Sequence, residues 1–169
     1  MIDLKKFLKP FQFQEDARIV GEAIVKVYQG DVQTRENLLD EIEIKNLIVT
    51  TGRNLAARRW GGDTSSTYAS IGYCALGIGT TAANAADTGL GTEVYRKPVS
   101  SVSYPGTGQV LLDTVFTTLE ANNYSITELG WFNASAAGTM GNRLVLTGGD
   151  IIAKTTDRSL DVAWTGTFT

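Results

Sequence analysis

The run Leu160-Asp161-Val162-Ala163-Trp164-Thr165-Gly166-Thr167-Phe168-Thr169 decides the fold class. Leu160, Val162 and Trp164 occupy alternate positions, with Phe168 further along the same side. Successive side chains on a strand point to opposite faces, so this spacing predicts a strand with one face in a core. The same period appears upstream. Over residues 39–45, Ile42 and Ile44 share one face while Glu41, Glu43 and Lys45 share the other. Ile24-Val25-Lys26-Val27-Tyr28 is β-rich, and Gly30-Asp31 is a turn signal. Residues 92–104 and 109–119 read as a strand pair joined by Pro105-Gly106-Thr107-Gly108, a hairpin signal. Shorter strands are predicted over 70–78, 125–132, 143–146 and 151–154, with a small-residue loop over 82–91 containing the turn residues Asp87-Thr88-Gly89.

One helix is predicted, over residues 46–60. Asn46 would cap it, Leu47, Ile48, Thr51, Leu55 and the stem of Arg58 fall near helical spacing, and Gly61-Gly62 would end it. Gly52 inside this stretch costs about 1 kcal/mol against alanine. The pattern is that of a mainly β protein: an antiparallel β-sandwich or jelly-roll-like barrel with one short helix and an extended N-terminal arm. The organisation read from it is an arm with extended strands over 1–45 and a β-sandwich domain over 46–169.

The arm carries Phe7, Phe11 and Phe13, interleaved with lysine, proline and glutamine, and Pro10 interrupts any helical period. Three phenylalanines are too apolar for a free tail. Burying each contributes about 1.5–3 kcal/mol, enough to fasten the arm into this domain's own core or, the reading favoured here, into a neighbouring subunit. Arg53, Arg58 and Arg59 lie between Leu47 and Gly61 with no acidic residue among them. They form either a solvated helix face or a surface for an acidic partner. Phe7, Phe11, Phe13, Arg53, Arg58 and Arg59 are therefore the expected assembly-interface residues.

The chain has no histidine and one cysteine, Cys74. A disulfide within the chain and a Cys/His zinc site are both excluded, and the commonest general base is missing. A net charge of −3 makes nucleic acid a poor partner. No run approaches the roughly 20 apolar residues of a membrane span, and the first residues lack the apolar core of a signal peptide. Gly77-Ile78-Gly79-Thr80-Thr81 is glycine-spaced like part of a phosphate loop, but it lacks both a third fingerprint glycine and a Gly-Lys-Ser/Thr ending. It reads as a bend between strands. Asp87, Glu93, Glu120 and Glu128 are spread through the β region. A glycosidase would need two of them about 5–10 Å apart across a cleft, whereas isolated acids on strands are usually solvated or ion-paired. Glu93 and Arg96, three apart on a strand, are expected on opposite faces with separate partners. Lys154 stands before Thr155-Thr156-Asp157, which reads as a turn rather than as part of a nucleophile site. Trp131 and Phe132 must face opposite ways, one into the core, the other toward a partner or a second core layer. No catalytic residue, cofactor or metal site is expected.

Three segments together carry a resemblance: Tyr73-Cys74-Ala75-Leu76-Gly77-Ile78-Gly79-Thr80-Thr81 continuing through residues 87–99, then Ile126-Thr127-Glu128-Leu129-Gly130-Trp131-Phe132-Asn133-Ala134, and Val162-Ala163-Trp164-Thr165-Gly166-Thr167-Phe168. In this order the chain, over about residues 47–169, resembles small accessory structural proteins of tailed-bacteriophage virions, of the decoration or tail-fibre-like kind. The resemblance implies a β-sandwich module, a place in the virion, partners among the major capsid protein or other virion proteins, homo-oligomeric contacts in the assembly, and no catalytic residues. It leans toward a capsid decoration (cement) protein, because such proteins commonly combine an N-terminal arm with a compact β domain. The alternatives are a tail, collar or fibre subunit and a carbohydrate-binding module or enzyme. The last would require a groove lined by Trp60, Trp131 or Trp164 with two carboxylates nearby.

Overall fold

The computed structural model describes residues 18–169. The arm residues Phe7, Phe11 and Phe13 lie outside the described residues. The first two strands are β1 (Ile19–Gln29) and β2 (Leu38–Ile48), antiparallel neighbours in which Gly21 faces Asn46 and Val25 faces Ile42. The remaining strands are β3 (Tyr73–Gly77), β4 (Glu93–Pro98), β5 (Ser101–Ser103), β6 (Gln109–Phe116), β7 (Tyr124–Ile126), β8 (Glu128–Phe132), β9 (Met140–Val145), β10 (Ile152–Lys154) and β11 (Arg158–Phe168). Nine of them form one antiparallel sheet in the order β4-β3-β8-β9-β2-β1-β11-β6-β5, and β7 with β10 makes a separate ribbon. The fold is mainly β, as the sequence predicts, with the large sheet curled into a half-barrel.

The curl has a specific seam. β2 pairs with β1 along residues 38–46, but its last two residues, Leu47 and Ile48, pair instead with Arg143 and Asn142 of β9. One strand thus belongs to both halves of the sheet. The division expected at 45/46 falls inside this strand. The halves face each other across the core, where Trp131 of β8 meets Trp164 of β11 with ring centroids 6.0 Å apart. Leu160, Val162 and Trp164 are buried on the inner face, as their alternation requires. Phe132 points the other way and is buried with Val49, Ala75 and Met140 in a second layer. The Arg96 guanidinium lies 3.6 Å over its ring. Both aromatic neighbours are therefore interior.

Three local expectations are corrected. The helix, α1 (Thr50–Trp60), starts after Val49, which supplies no side-chain cap. Asn46 belongs to β2, because the chain stays extended to reach β9. Gly52 has a steric reason: a Cβ there would stand 1.9 Å from the carbonyl oxygen of Gly141. The expected strand over 92–104 breaks after Pro98. There Val99 donates to the Gly72 carbonyl and Ser100 to that of Asp113, so the chain crosses from one edge of the sheet, β4, to the other, β5. The hairpin at Pro105–Gly108 survives as the β5–β6 connection, with Gly108 at φ +69°. The stretch 125–132 divides at Thr127, since β7 joins β10 rather than the large sheet. Lys154 ends β10, as the strand expected over 151–154 requires, and the turn follows it. Its buried ammonium donates to Asn122 Oδ1 (2.8 Å) and the Thr155 carbonyl (3.2 Å). Burial lowers its pKa.

Candidate functional site

Where the half-barrel stays open, α1 and the strand ends bound an apolar groove of about 590 Å³. Its floor is Ile48, Leu55, Leu112 and Trp164. At its lips stand Trp60, 91% exposed, and Tyr104, 77% exposed, with Val102 and Phe168 about half exposed beside them. Such a contiguous set of exposed large apolar side chains marks an interaction surface more than a scatter of single ones does. Arg59 is the one charged residue that lines the groove among the described residues, and no Asp or Glu lines it. Two buried polar atoms belong to groove-lining residues: Asn142 Oδ1, an acceptor, and Trp164 Nε1, a donor. Neither has a hydrogen-bond partner among the described residues.

The acidic residues are engaged elsewhere. Glu128 is fully buried and accepts from the backbone N–H of Gly79 (2.8 Å), Thr92 (2.8 Å) and Gly91 (2.9 Å). Arg143 adds Nε at 3.0 Å and Nη2 at 2.7 Å, while its Nη1 donates to Asp87 Oδ2 at 2.7 Å. Burial by itself would raise the Glu128 pKa. The Thr92 and Gly91 amides and the Arg143 guanidinium outweigh it and hold the carboxyl below its ordinary value. Glycines are required around this carboxylate, because a Cβ on Gly79 would come 2.4 Å from Glu128 Oε1 and one on Gly77 2.6 Å. The glycine run over 77–81 is thus a bend between strands, as expected, and it also cradles an anion, which is the chain's own Glu128.

The other two carboxylates of the set named from the sequence, Glu120 and Glu93, are likewise paired. Lys97 donates to both oxygens of Glu120 at 2.8 Å and to the Val115 carbonyl, tying β4 to β6. Glu93 and Arg96 do pair, at 2.5 Å, against the expectation of separate partners. The register slips between β3 and β4, where Gly77 faces Glu93 and Leu76 faces Tyr95. Val94 is the extra residue of a bulge, which turns the two charged side chains toward each other.

The three helix arginines are placed as follows. Arg53 donates to the Ile48 carbonyl and to Thr50 Oγ1. Arg58 lies 3.8 Å from Asp63 and 5.1 Å over the Tyr68 ring. Arg59 donates to the Asp63 carbonyl and borders the groove. All three are exposed.

No family model, curated protein or solved structure matches this chain. The site is therefore read from its own geometry. Of the tryptophans named for a groove, Trp60 and Trp164 line it and Trp131 does not. The reading of the sequence missed Tyr104 and Val102, and it missed the Glu128–Arg143–Asp87 cluster. Tyr104 stands directly before the Pro105-Gly106 turn and Trp60 directly before Gly61-Gly62. An aromatic beside turn glycine or proline sits where an element reaches the surface, and that is the signal both shared.

Proposed function

We propose that this chain is a non-enzymatic structural subunit of a tailed-phage virion, and within it a capsid decoration protein that bridges capsid subunits. The observation that carries the reading is the groove. Its lips are exposed aromatic residues, and aromatic residues dominate the centres of protein interfaces. Covering Trp60 and Tyr104 removes apolar surface from water at about 25 cal/mol per Å², a gain available only when a partner is present. The phage resemblance over residues 47–169 supplies the setting. The pairing of Asp87, Glu93, Glu120 and Glu128 supports a structural use of those carboxylates.

The test is binding of purified chain to phage heads emptied of DNA, followed by sedimentation. Saturable binding that is lost in Trp60→Ser and Tyr104→Ser variants is the expected result. A fixed trimer that ignores heads would replace decoration with the tail, collar or fibre alternative. One observation favours a second reading as a carbohydrate-binding module: the exposed pair Trp60 and Tyr104 on one groove. Sugar recognition also needs convergent polar groups, and the groove wall offers few. Titration with bacterial polysaccharide, read by tryptophan emission, separates the two.

A further inference from the structure

We infer that Lys154 and Asn122 are the reactant pair of an intramolecular isopeptide bond, in which the lysine nitrogen replaces the side-chain nitrogen of Asn122. Lys154 is fully buried, yet it has no salt-bridge partner among the described residues. Its Nζ donates only to two neutral oxygens there, Asn122 Oδ1 at 2.8 Å and the Thr155 carbonyl at 3.2 Å. Asp31, Glu120 and Asp157 are the carboxylates whose charges reach it. Each accepts hydrogen bonds elsewhere: Asp31 from Thr118, Glu120 from Lys97 and Asp157 from Thr155. A buried ammonium without a contacting counterion is costly, so burial favours the neutral amine. Burial lowers the Lys154 pKa against the pull of those three carboxylates. The neutral amine is the form that attacks a carbonyl carbon.

The electrophile is held as firmly as the amine. Asn122 lies between Ala121 at φ +51° and Asn123 at φ +67°. The left-handed region is strained for alanine, and such strain collects at functional positions. The Asn123 N–H donates to the Lys154 carbonyl at 2.8 Å, which clamps the two backbones together where the β7–β10 ribbon ends. Asn122 Nδ2 donates to the Thr118 carbonyl at 2.6 Å, and Asp31 holds Thr118 through its N–H and its hydroxyl. With a C=O bond of about 1.2 Å, Asn122 Cγ lies about 3–4 Å from Nζ, overlapping the separation of about 3–3.5 Å at which positioned groups react. Turning the amide about its Cβ–Cγ bond, a soft torsion, presents the face of Cγ to the amine. The step then balances within the chain. The Nζ lone pair forms a bond to Cγ, and a proton passes from Nζ to Nδ2. The Cγ–Nδ2 bond breaks with its electron pair on nitrogen, and one ammonia leaves. An amine and a primary amide become a secondary amide and ammonia, with no change of oxidation state. The product removes an ionisable group from the interior and fastens the end of β10 to the residue two before β7.

The test is the intact mass of the purified full-length chain, followed by a protease digest. The expected mass is one ammonia, about 17 Da, below that of the sequence, and the digest should yield the Lys154 peptide joined to the Asn122 peptide. Lys154→Met and Asn122→Ala chains should each keep their full sequence mass, since neither retains both reactants. A native chain that still has its full mass after long incubation in the folded state overturns the inference. A loss of ammonia that persists in Lys154→Met overturns it too, because an asparagine closing a ring on its own backbone gives the same mass. A digest in which the two peptides separate does the same. The digest reads the native protein alone, so it decides the question even where a variant does not fold. Phage-head binding is a separate outcome, since neither Lys154 nor Asn122 lines the groove.

Discussion

Replacing Arg143 with methionine keeps most of the side-chain volume and removes the cation that faces Glu128. Both side chains are interior, at 3% and 0% exposure. Breaking one member of such a pair costs about 3–5 kcal/mol, because the remaining charge stays buried without its counterion. At about 2–4 °C per kcal/mol for a domain of this size, the melting temperature at pH 7 should fall by roughly 10 °C. The pH dependence then changes sign. In the native protein the Glu128 pKa is lowered, so its stabilisation is present above the ordinary carboxylate range and is lost as pH falls through the folded value. In Arg143→Met the amides of Gly79, Gly91 and Thr92 stand alone against complete burial, and the pKa moves upward. Lowering the pH then neutralises Glu128 and recovers stability. The assay is thermal or urea unfolding of both proteins at pH 7.5 and pH 5. A variant within about 1 kcal/mol of the native protein at pH 7.5, or one more impaired at pH 5 than at 7.5, would refute the reasoning.

Gly52→Ala should destabilise by about 1–3 kcal/mol in urea unfolding, despite alanine's better helix propensity, because its Cβ meets the Gly141 carbonyl. Trp60→Ala should leave unfolding stability within about 0.5 kcal/mol, since the ring is exposed, while lowering head binding. Asp161, beside Asp113 on the neighbouring strand, has its carboxyl pushed up to about 7 by burial and then by the hydrogen bond and charge of Asp113, against Lys26. A raised acid binds more protons folded than unfolded, so stability should decline as pH rises from about 4 to 7. Asp161→Asn should flatten that decline in a series of melting curves. Burial also raises the Cys74 thiol pKa, and a thiol reagent should label it only as fast as the protein unfolds.

Strand content and the inward faces were legible because period two is a property of the backbone. Leu160, Val162 and Trp164 needed no partner to declare their side. Pairing was not legible. That Leu47 and Ile48 leave β1 for β9 depends on residues almost a hundred positions away. The bulge at Val94 is a matter of register, and register decided whether Glu93 and Arg96 met. The helix start was misplaced because Asn46, a good cap by type, is held in a strand by its sheet neighbours. The Glu128 cluster had a signal in the glycines around positions 77–79 and 89–91, but only the fold supplies the anion they enclose. The groove is a gap left by the curl of the sheet and has no linear pattern, although the aromatics at its lips abut turn residues.

β1 occupies an interior position in the sheet, with β2 on one side and β11 on the other. The first neighbour is local and the second follows more than a hundred residues later, with Ile19 facing Phe168. During synthesis from the N-terminus, the β1–β2 hairpin therefore emerges with the β1 edge unpaired and waits for β11. An open edge of that length invites pairing with other nascent chains, and contacts so distant in sequence form slowly. Yield in the cell should accordingly depend on translation speed and on chaperones that hold the early hairpin apart from its like.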